Sequence, residues 1–151
     1  MSHIGLMLQL CLLVFSACRN SPTINTWKAK DEIHAVLAGQ ERDWNSGNID
    51  RYMDGYLRSD SVRFASGGNV TYGWQKTLDR YKKGYPDKAA MGALMFEHVD
   101  VKILSETSAL VFGTWRLKRS ADEPWGLFTL VFNKTMDGWK IMHDHTSLAG
   151  K

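Results

Sequence analysis

Four long runs of strand-forming residues follow one another in the second half of the chain, and this succession limits the possible folds more than any other feature. They span about residues 94–105, 108–119, 124–135 and 139–148. The last two are joined through Asp137-Gly138, a pair that strongly favours a two-residue hairpin. Long strands that are consecutive along a chain pair as an antiparallel meander, and such a sheet twists and curves. The sequence therefore predicts a curved, mainly antiparallel sheet.

The region before these strands has the periodicity of helices. Apolar residues at helical spacing predict a first helix over about residues 27–45, a second over about 49–57 and a third between Gly73 and Pro86. Alternating residues and a glycine turn predict a short hairpin over about 62–72. Helices followed by strands indicate an α+β fold, with three N-terminal helices packed on the sheet.

The N-terminal residues have the features of an export signal. Residues 4–17 are almost wholly apolar, and a run of about 14 is too short to cross a bilayer but suits the apolar region of a signal peptide. The segment ends in Ser16-Ala17-Cys18, which is similar to the lipobox of bacterial lipoproteins. An ordinary cleavable signal with an incidental cysteine is the alternative.

This interpretation divides the chain into three parts. Residues 1–18 are predicted to be the signal, with Cys18 as the lipidated residue, 19–26 a tether, and 27–151 a single domain. The expected location is the bacterial cell envelope, as a periplasm-facing lipoprotein or a secreted protein. Membrane contact is expected only through the N-terminal lipid.

Several classes of function are excluded by the composition. Both cysteines, Cys11 and Cys18, lie in the predicted signal, so the domain can have no disulfide, thiolate nucleophile or cysteine-ligated zinc. The net charge of +3 is small, and the basic residues form no stripe that would follow a phosphate backbone, so no nucleic acid is expected. The sequence has no Walker loop, dinucleotide fingerprint or serine nucleophile elbow, and no cofactor is predicted.

The order of elements and four motifs resemble the nuclear transport factor 2-like superfamily, which includes SnoaL-like cyclases and ketosteroid isomerase. The motifs are Trp44-Asn45-Ser46-Gly47-Asn48, Gly113-Thr114-Trp115, the run 126–132 and the run 138–147. The closer similarity is to a large bacterial branch with a ketosteroid-isomerase-like domain. The last motif is also similar to the association domain of calcium/calmodulin-dependent kinase II. The resemblance implies a cone-shaped α+β barrel, also called a cystatin-like roll, that hosts isomerases, dehydratases, hydrolases, binding proteins and assembly modules.

The densest polar cluster of the domain, His143-Asp144-His145, lies on the last predicted strand. Side chains alternate faces along a strand, so Asp144 and the two histidines point in opposite directions unless a bulge intervenes. A turn at Asp137-Gly138 would pair Val131 with Asp144 and Thr129 with Thr146. Thr129 would then share the face of Asp144, and both faces of the hairpin would be apolar apart from these groups.

In the favoured site, Asp144 points into the pocket. Burial raises the pKa of a carboxyl group and brings it closer to the base strength that proton abstraction needs at neutral pH. Tyr56 or Tyr52 then donates a hydrogen bond to a developing oxyanion. Relatives with this fold place a functional polar side chain near this face of the last strand. The candidate catalytic residues are Asp144, Tyr56 and, if the opposite face lines the pocket, His145. The alternative of a purely structural Asp144, hydrogen-bonded to neighbouring backbone or to a tyrosine without turnover, stays open.

A second arrangement places both histidines inward. Two residues apart on a strand, His143 and His145 would lie about 6.5–7 Å apart at Cα, which is compatible with a shared metal ion. A catalytic zinc needs a third protein ligand, and no partner motif supplies one. No metal is therefore predicted.

The candidate ligand-binding residues are mostly aromatic side chains at inward positions. They bring indole N–H and phenol O–H groups into an apolar interior, where a ligand or a wet cavity supplies partners. Each one alone is equally consistent with simple core packing. The predicted ligand-binding residues are Trp44, Tyr52, Phe64, Trp74, Tyr81, Trp115 and Thr129.

Together these features predict an exported pocket protein that binds a small, mostly apolar organic molecule. A proton-transfer activity of isomerase, dehydratase or cyclase type is left open. The alternative is a non-catalytic association module, in which the outer face of the 124–148 hairpin forms a homodimer interface. The two interpretations are compatible, and the expected partners are a small apolar molecule and a second copy of the chain.

Overall fold

The computed structural model describes residues 25–149. The predicted export signal, the lipidation site Cys18 and most of the tether lie outside the described residues. Among the residues it does describe, no helix combines the length and the apolar character that a membrane crossing needs.

Four helices precede the long strands. They are α1 (Thr26–Asn45), α2 (Ile49–Tyr52), α3 (Trp74–Gly84) and α4 (Lys88–Met91), with a 3₁₀ turn over Met53–Gly55 after α2. The predicted second helix is thus one α-helical turn followed by the 3₁₀ turn. The fourth helix was not predicted; it begins where the side chain of Asp87 accepts a hydrogen bond from the Ala90 amide at 2.8 Å, a helix N-cap.

The sheet has six strands in the order β2-β1-β6-β5-β4-β3. Their bounds are β1 (Arg63–Ser66), β2 (Asn69–Tyr72), β3 (Ala93–Ser105), β4 (Ser108–Lys118), β5 (Trp125–Thr135) and β6 (Gly138–Thr146). The β1–β6 pair is parallel and the other pairs are antiparallel. The predicted α+β fold with a mainly antiparallel sheet is confirmed.

The helices cover one face of this sheet. Every third or fourth residue of α1 is buried, among them Ile33 and Leu37, which is the stripe that a helix presents to a core. On the sheet, Val111, Phe132 and Ile141 are almost fully buried beneath the helices. We call this helix-covered side the inner face and the other side the outer face.

A side chain of α1 ties the helix to the edge strand β3. The Asn45 amide donates to the Leu94 carbonyl at 3.0 Å and accepts from the Leu94 amide at 2.7 Å. It therefore pairs with the backbone of β3 as a neighbouring strand would. Beside it, Trp44 Nε1 donates to the Met91 carbonyl at 3.1 Å. The C-terminal end of α1 is thereby held over the start of β3.

The turn between β5 and β6 differs from the prediction. Thr135 pairs with Gly138, so the two turn residues are Met136 and Asp137, not Asp137 and Gly138. Gly138 has a φ of +91°, a backbone conformation that glycine adopts without a steric penalty. The glycine is used at the first position of β6, which shifts the pairing of the whole hairpin.

A β-bulge in β6 changes the register a second time. Met142 has no partner on β5, and beyond it Asp144 pairs with Leu130, not with Val131 as predicted. An extra residue in one strand reverses the face that each following side chain occupies. Ile141 and Asp144 are three residues apart, yet both are buried on the inner face.

Candidate functional site

A cavity of about 470 Å³ lies between the helices and the inner face of the sheet. This volume is within the range of about 300–1,000 Å³ that is typical of small-molecule sites. Its walls are mostly aromatic and aliphatic, and six side chains of other kinds line it: Gln40, Ser66, Arg80, Arg119, Asp144 and Thr146. The sequence-based expectation of an aromatic-rich pocket therefore has a physical counterpart.

Asp144 is the buried acid of this cavity, with 5% of its surface exposed. Its Oδ2 accepts a hydrogen bond from Tyr56 Oη at 2.6 Å, whereas its Oδ1 is buried and has no hydrogen-bond partner among the described residues. Burial raises the pKa of Asp144 to about 7, although the Tyr56 hydrogen bond and the Arg80 charge act in the opposite direction. This carboxyl group therefore exchanges its proton near neutral pH.

Tyr56 is held beside the last strand by the backbone. It follows the 3₁₀ turn and forms an isolated parallel bridge with Ile141, and the next amide, of Leu57, donates to the Ile141 carbonyl at 2.9 Å. Ile141 and Asp144 both face inward, so the Tyr56 ring comes to lie against Asp144. Tyr56 was predicted to donate to an oxyanion on the substrate, whereas in the structure it donates to Asp144 itself, a contact that the bulge makes possible.

Two more tyrosines extend this contact into a network. Tyr81 Oη lies 3.2 Å from Tyr56 Oη and 3.4 Å from Tyr52 Oη, so the three hydroxyl groups form a connected chain that ends on Asp144. Burial raises the pKa of Tyr56 and Tyr81 well above the ordinary value of a phenol, and the nearby ionisable groups raise it further. The hydroxyl groups therefore stay protonated and can donate hydrogen bonds.

Trp44 and Trp115 line the cavity, but their indole N–H groups already have protein partners. Trp44 donates to the Met91 carbonyl, and its ring contacts Tyr52 edge to face, with centroids 5.1 Å apart. Trp115 Nε1 donates to the Ser147 carbonyl at 3.0 Å. These rings offer a ligand apolar surface.

Trp74 does not reach the cavity, contrary to the prediction. Its Nε1 donates to the Met53 carbonyl at 2.9 Å, and the Arg58 guanidinium lies over its ring, 4.3 Å from the centroid. Position 74 is the first residue of α3, where the ring packs back onto the 3₁₀ turn instead of pointing into the hollow.

Thr129 and His145 also lie outside the cavity. They pair with each other across β5 and β6 on the outer face, and His145 is exposed. The predicted pairing of Thr129 with Thr146 is wrong because the turn and the bulge at Met142 shift the register. The same shift places Asp144 on the inner face, together with Phe128 and Leu130 from β5.

The two histidines of β6 do not form a metal site in the part of the chain that the structure describes. Their ring centroids are 6.5 Å apart on the outer face, and no cluster of three or more potential ligands occurs among residues 25–149. Burial, Arg63 and His145 lower the pKa of His143.

Sequence reasoning missed most polar residues of the cavity wall, among them Gln40 and Arg80. Gln40 Nε2 donates to the Tyr52 carbonyl at 3.1 Å, which fixes the end of α2 against α1. Arg80 lies three residues after the buried Thr77 on α3, a spacing that shares a helix face. That spacing was visible in the sequence, but a charged residue at the margin of an apolar stripe is ordinarily solvated.

Comparison with known proteins agrees with this architecture. Residues 33–150 match the family described as the SnoaL-like domain, which is most of the chain. The chain belongs to the SnoaL-like domain family. The predicted membership of the nuclear transport factor 2-like superfamily is thereby supported. No match was found among curated proteins.

Several solved structures are similar to this SnoaL-like domain. A nuclear transport factor 2-like protein of unknown function from Shewanella oneidensis is 44% identical, with 78% of this chain and 98% of that chain covered and a TM-score of 0.75. A protein with a cystatin-like fold from Nostoc punctiforme shares 9% identity over 81% and 92% of the two chains, with a TM-score of 0.65. A candidate calcium/calmodulin-dependent protein kinase II association domain from Xanthomonas campestris shares 16% over 80% and 87%, with a TM-score of 0.64. The last two show the fold alone, and they agree with the predicted cone-shaped roll.

Proposed function

We propose that this SnoaL-like domain binds a small, mostly apolar organic molecule in the cavity, with Asp144 as the group that exchanges a proton with it. The observation that carries the proposal is the free Oδ1 of Asp144, which is buried at the wall of a hollow large enough for such a molecule. A buried polar atom without a hydrogen-bond partner carries a free-energy penalty. A hydroxyl or carbonyl oxygen of a bound ligand, or its acidic C–H group, removes this penalty by contacting Oδ1. Export by residues 1–18 stays a prediction from the sequence.

The geometry supports proton transfer of isomerase, dehydratase or cyclase type. Tyr56 donates to Oδ2 and thereby fixes the carboxyl group, while Oδ1 has no partner among the described residues and is left for a ligand. Tyr52 and Tyr81 place further protonated hydroxyl groups nearby, which can donate to an oxyanion that develops on the substrate. Asp144 acts as the acid–base residue, Tyr56 orients it, and the aromatic walls exclude water.

Ligand binding is tested by a panel of naphthols, indoles and medium-chain ketones in titration calorimetry. We expect a micromolar binder to the intact protein, and Leu130→Phe should weaken it about tenfold because the added ring occupies the inner wall. Leu127→Phe is the matched control, since it makes the same change on the outer face of the same strand. Absence of any binder, or equal weakening by both variants, would contradict the proposal.

The same panel separates binding from proton transfer. Asp144→Asn should retain the binder but abolish hydrogen–deuterium exchange at a carbon beside the ligand carbonyl, followed by proton NMR. Exchange that continues unchanged in Asp144→Asn would exclude Asp144 as the acid–base residue, and exchange no faster with the wild type than without protein would leave the domain as a binding protein only.

A second candidate function, self-association, is favoured by the outer face. Phe112, Trp125 and Leu127 lie close together on β4 and β5 of this face, and each is more than 40% exposed. Large apolar side chains exposed together on one face of a sheet indicate a protein interface. We propose a second copy of the chain as the occupant, because a two-fold dimer would bury the same apolar patch of both subunits at once.

The dimer is tested by light scattering at high micromolar concentration. We expect a dimer for the intact protein and a monomer for Leu127→Lys, which places a charge in the centre of the patch. Met136→Lys, on the fully exposed β5–β6 turn, should leave the dimer intact. A monomeric wild-type protein would rule out this second function without affecting the first.

A further inference from the structure

One wall of the cavity carries a cation that the proton-transfer role does not use. Arg80 is half-buried on α3, and its guanidinium lies over the Phe64 ring, 4.7 Å from the centroid. Of its five N–H groups, Nη1 donates to Thr71 Oγ1 at 3.1 Å. Among residues 25–149, no carboxylate lies within salt-bridge distance of Arg80. Its charge is therefore available to a ligand.

The second arginine of the cavity is in a different state. Arg119 forms two hydrogen bonds to the Asp122 carboxylate, from Nε at 2.6 Å and from Nη2 at 2.7 Å. This bidentate pair satisfies its charge within the β4–β5 connection. The contrast singles out Arg80 as the unpaired cation of the cavity wall.

Arg80 and Asp144 occupy different depths of the cavity. Asp144 is buried at the inner face, whereas Arg80 is half-buried and Gly84, one turn further along α3 in the cavity wall, is exposed. The cavity that both residues line has apolar ring walls, including Phe64 and Tyr81. A molecule that lies along this cavity meets a hydrogen-bonding carboxyl group at its inner end and a cation at its outer end.

We propose that the ligand is an amphipathic organic acid: its apolar body fills the ring-lined hollow, an uncharged oxygen or acidic C–H meets Asp144 Oδ1, and its carboxylate pairs with Arg80. This inference rests on the proposed function and names its ligand class. An arginine positioned over an aromatic ring is held in place and presents the rest of its planar donor edge to a carboxylate. Burial raises the pKa of Asp144 to about 7, so part of the population is uncharged at neutral pH, which limits repulsion of the incoming anion.

A matched pair of fluorescent probes tests the anion requirement. 1-Anilinonaphthalene-8-sulfonate and N-phenyl-1-naphthylamine share one aromatic body and differ in the sulfonate. We expect the purified protein to bind the sulfonate about tenfold more tightly at low salt, and the preference to shrink as salt rises. In Arg80→Gln the preference should disappear while affinity for the neutral probe is kept. Arg80→Lys, which keeps the charge, should retain part of the preference.

Arg58→Gln is the control variant. Arg58 also lies over an aromatic ring, that of Trp74, but outside the cavity, so its removal changes the net charge equally without touching the site. An unchanged preference in Arg80→Gln, or equal binding of the two probes to the wild type, would overturn the organic-acid inference and leave the binding function standing. If neither probe binds, both the inference and the proposed binding function fail.

Discussion

Asp144→Asn is expected to stabilise the domain by about 2–4 kcal/mol at pH 8, even though it replaces the central residue of the site. The amide is uncharged and its oxygen can still accept the Tyr56 hydrogen bond. The carboxylate of the wild type, in contrast, must be ionised at this pH in a buried position. Urea unfolding of both proteins at pH 8 and pH 4 measures the difference.

Asp144→Asn is stabilising because the folded and unfolded states of the wild type bind the Asp144 proton with different affinity. The pKa of Asp144 is about 7 in the folded protein and 3.8 in an unperturbed carboxyl group, so the folded state binds the proton more tightly. The stabilisation of the folded state by this tighter proton binding is fully present below about pH 4. It is lost as the pH rises to about 7, a change of about 4 kcal/mol in the free energy of unfolding. The advantage of Asp144→Asn should therefore appear between pH 4 and 7 and stay constant above.

An exposed acid provides the control. Asp100→Asn, on β3, should change the free energy of unfolding by no more than about 0.5 kcal/mol at either pH. If the difference between wild type and Asp144→Asn is the same at pH 4 and pH 8, Asp144 does not titrate in the way that its burial requires.

Trp44→Ala is expected to destabilise the domain by about 3–5 kcal/mol. Trp44 is 2% exposed, its ring contacts Tyr52 and Tyr85 edge to face, and its N–H group satisfies the Met91 carbonyl. The substitution removes a large buried ring, leaves a hollow beside the cavity and deprives a buried carbonyl of its donor.

Trp27→Ala makes the same chemical change at the other end of α1. Trp27 is 78% exposed, so its loss should alter the free energy of unfolding by less than about 0.5 kcal/mol. Denaturant unfolding followed by circular dichroism measures both variants. A loss below 1 kcal/mol for Trp44→Ala would mean that Trp44 does not hold α1 over β3.

The elements of the fold could be predicted because their signals are local. Helical spacing places the first helix within one residue of α1 (Thr26–Asn45), and the four strand runs match β3 to β6 closely. The short α4 was missed because a single turn has almost no periodicity. Its signal was the capping residue Asp87 after Pro86, which indicates a helix start only when the chain that follows is known to turn back.

The candidate site was less predictable because it depends on register. The residue types were the right ones to consider, and the structure brings Asp144, Tyr56, Tyr52 and Tyr81 together. Thr129 and His145 were misplaced for two reasons. The alternation of side chains was counted from Asp137-Gly138, one residue after the actual turn, and β6 was assumed to have no bulge. Trp74 was assigned from a helical stripe that is correct for Leu78 and Tyr81 but does not extend to the first turn.

The unpaired Met142 decides which side chains of the last strand face the cavity. Counted regularly from the buried Trp139, positions 141, 143 and 145 would follow it inward, and two imidazoles would face the hollow. Because Met142 is looped out of the ladder, the Asp144 carboxyl group lies on the inner face and the imidazoles of His143 and His145 lie on the outer face. Whether the cavity of this chain meets a carboxyl group or imidazoles is thus set by the position of Met142 outside the ladder, without any substitution among the reactive side chains.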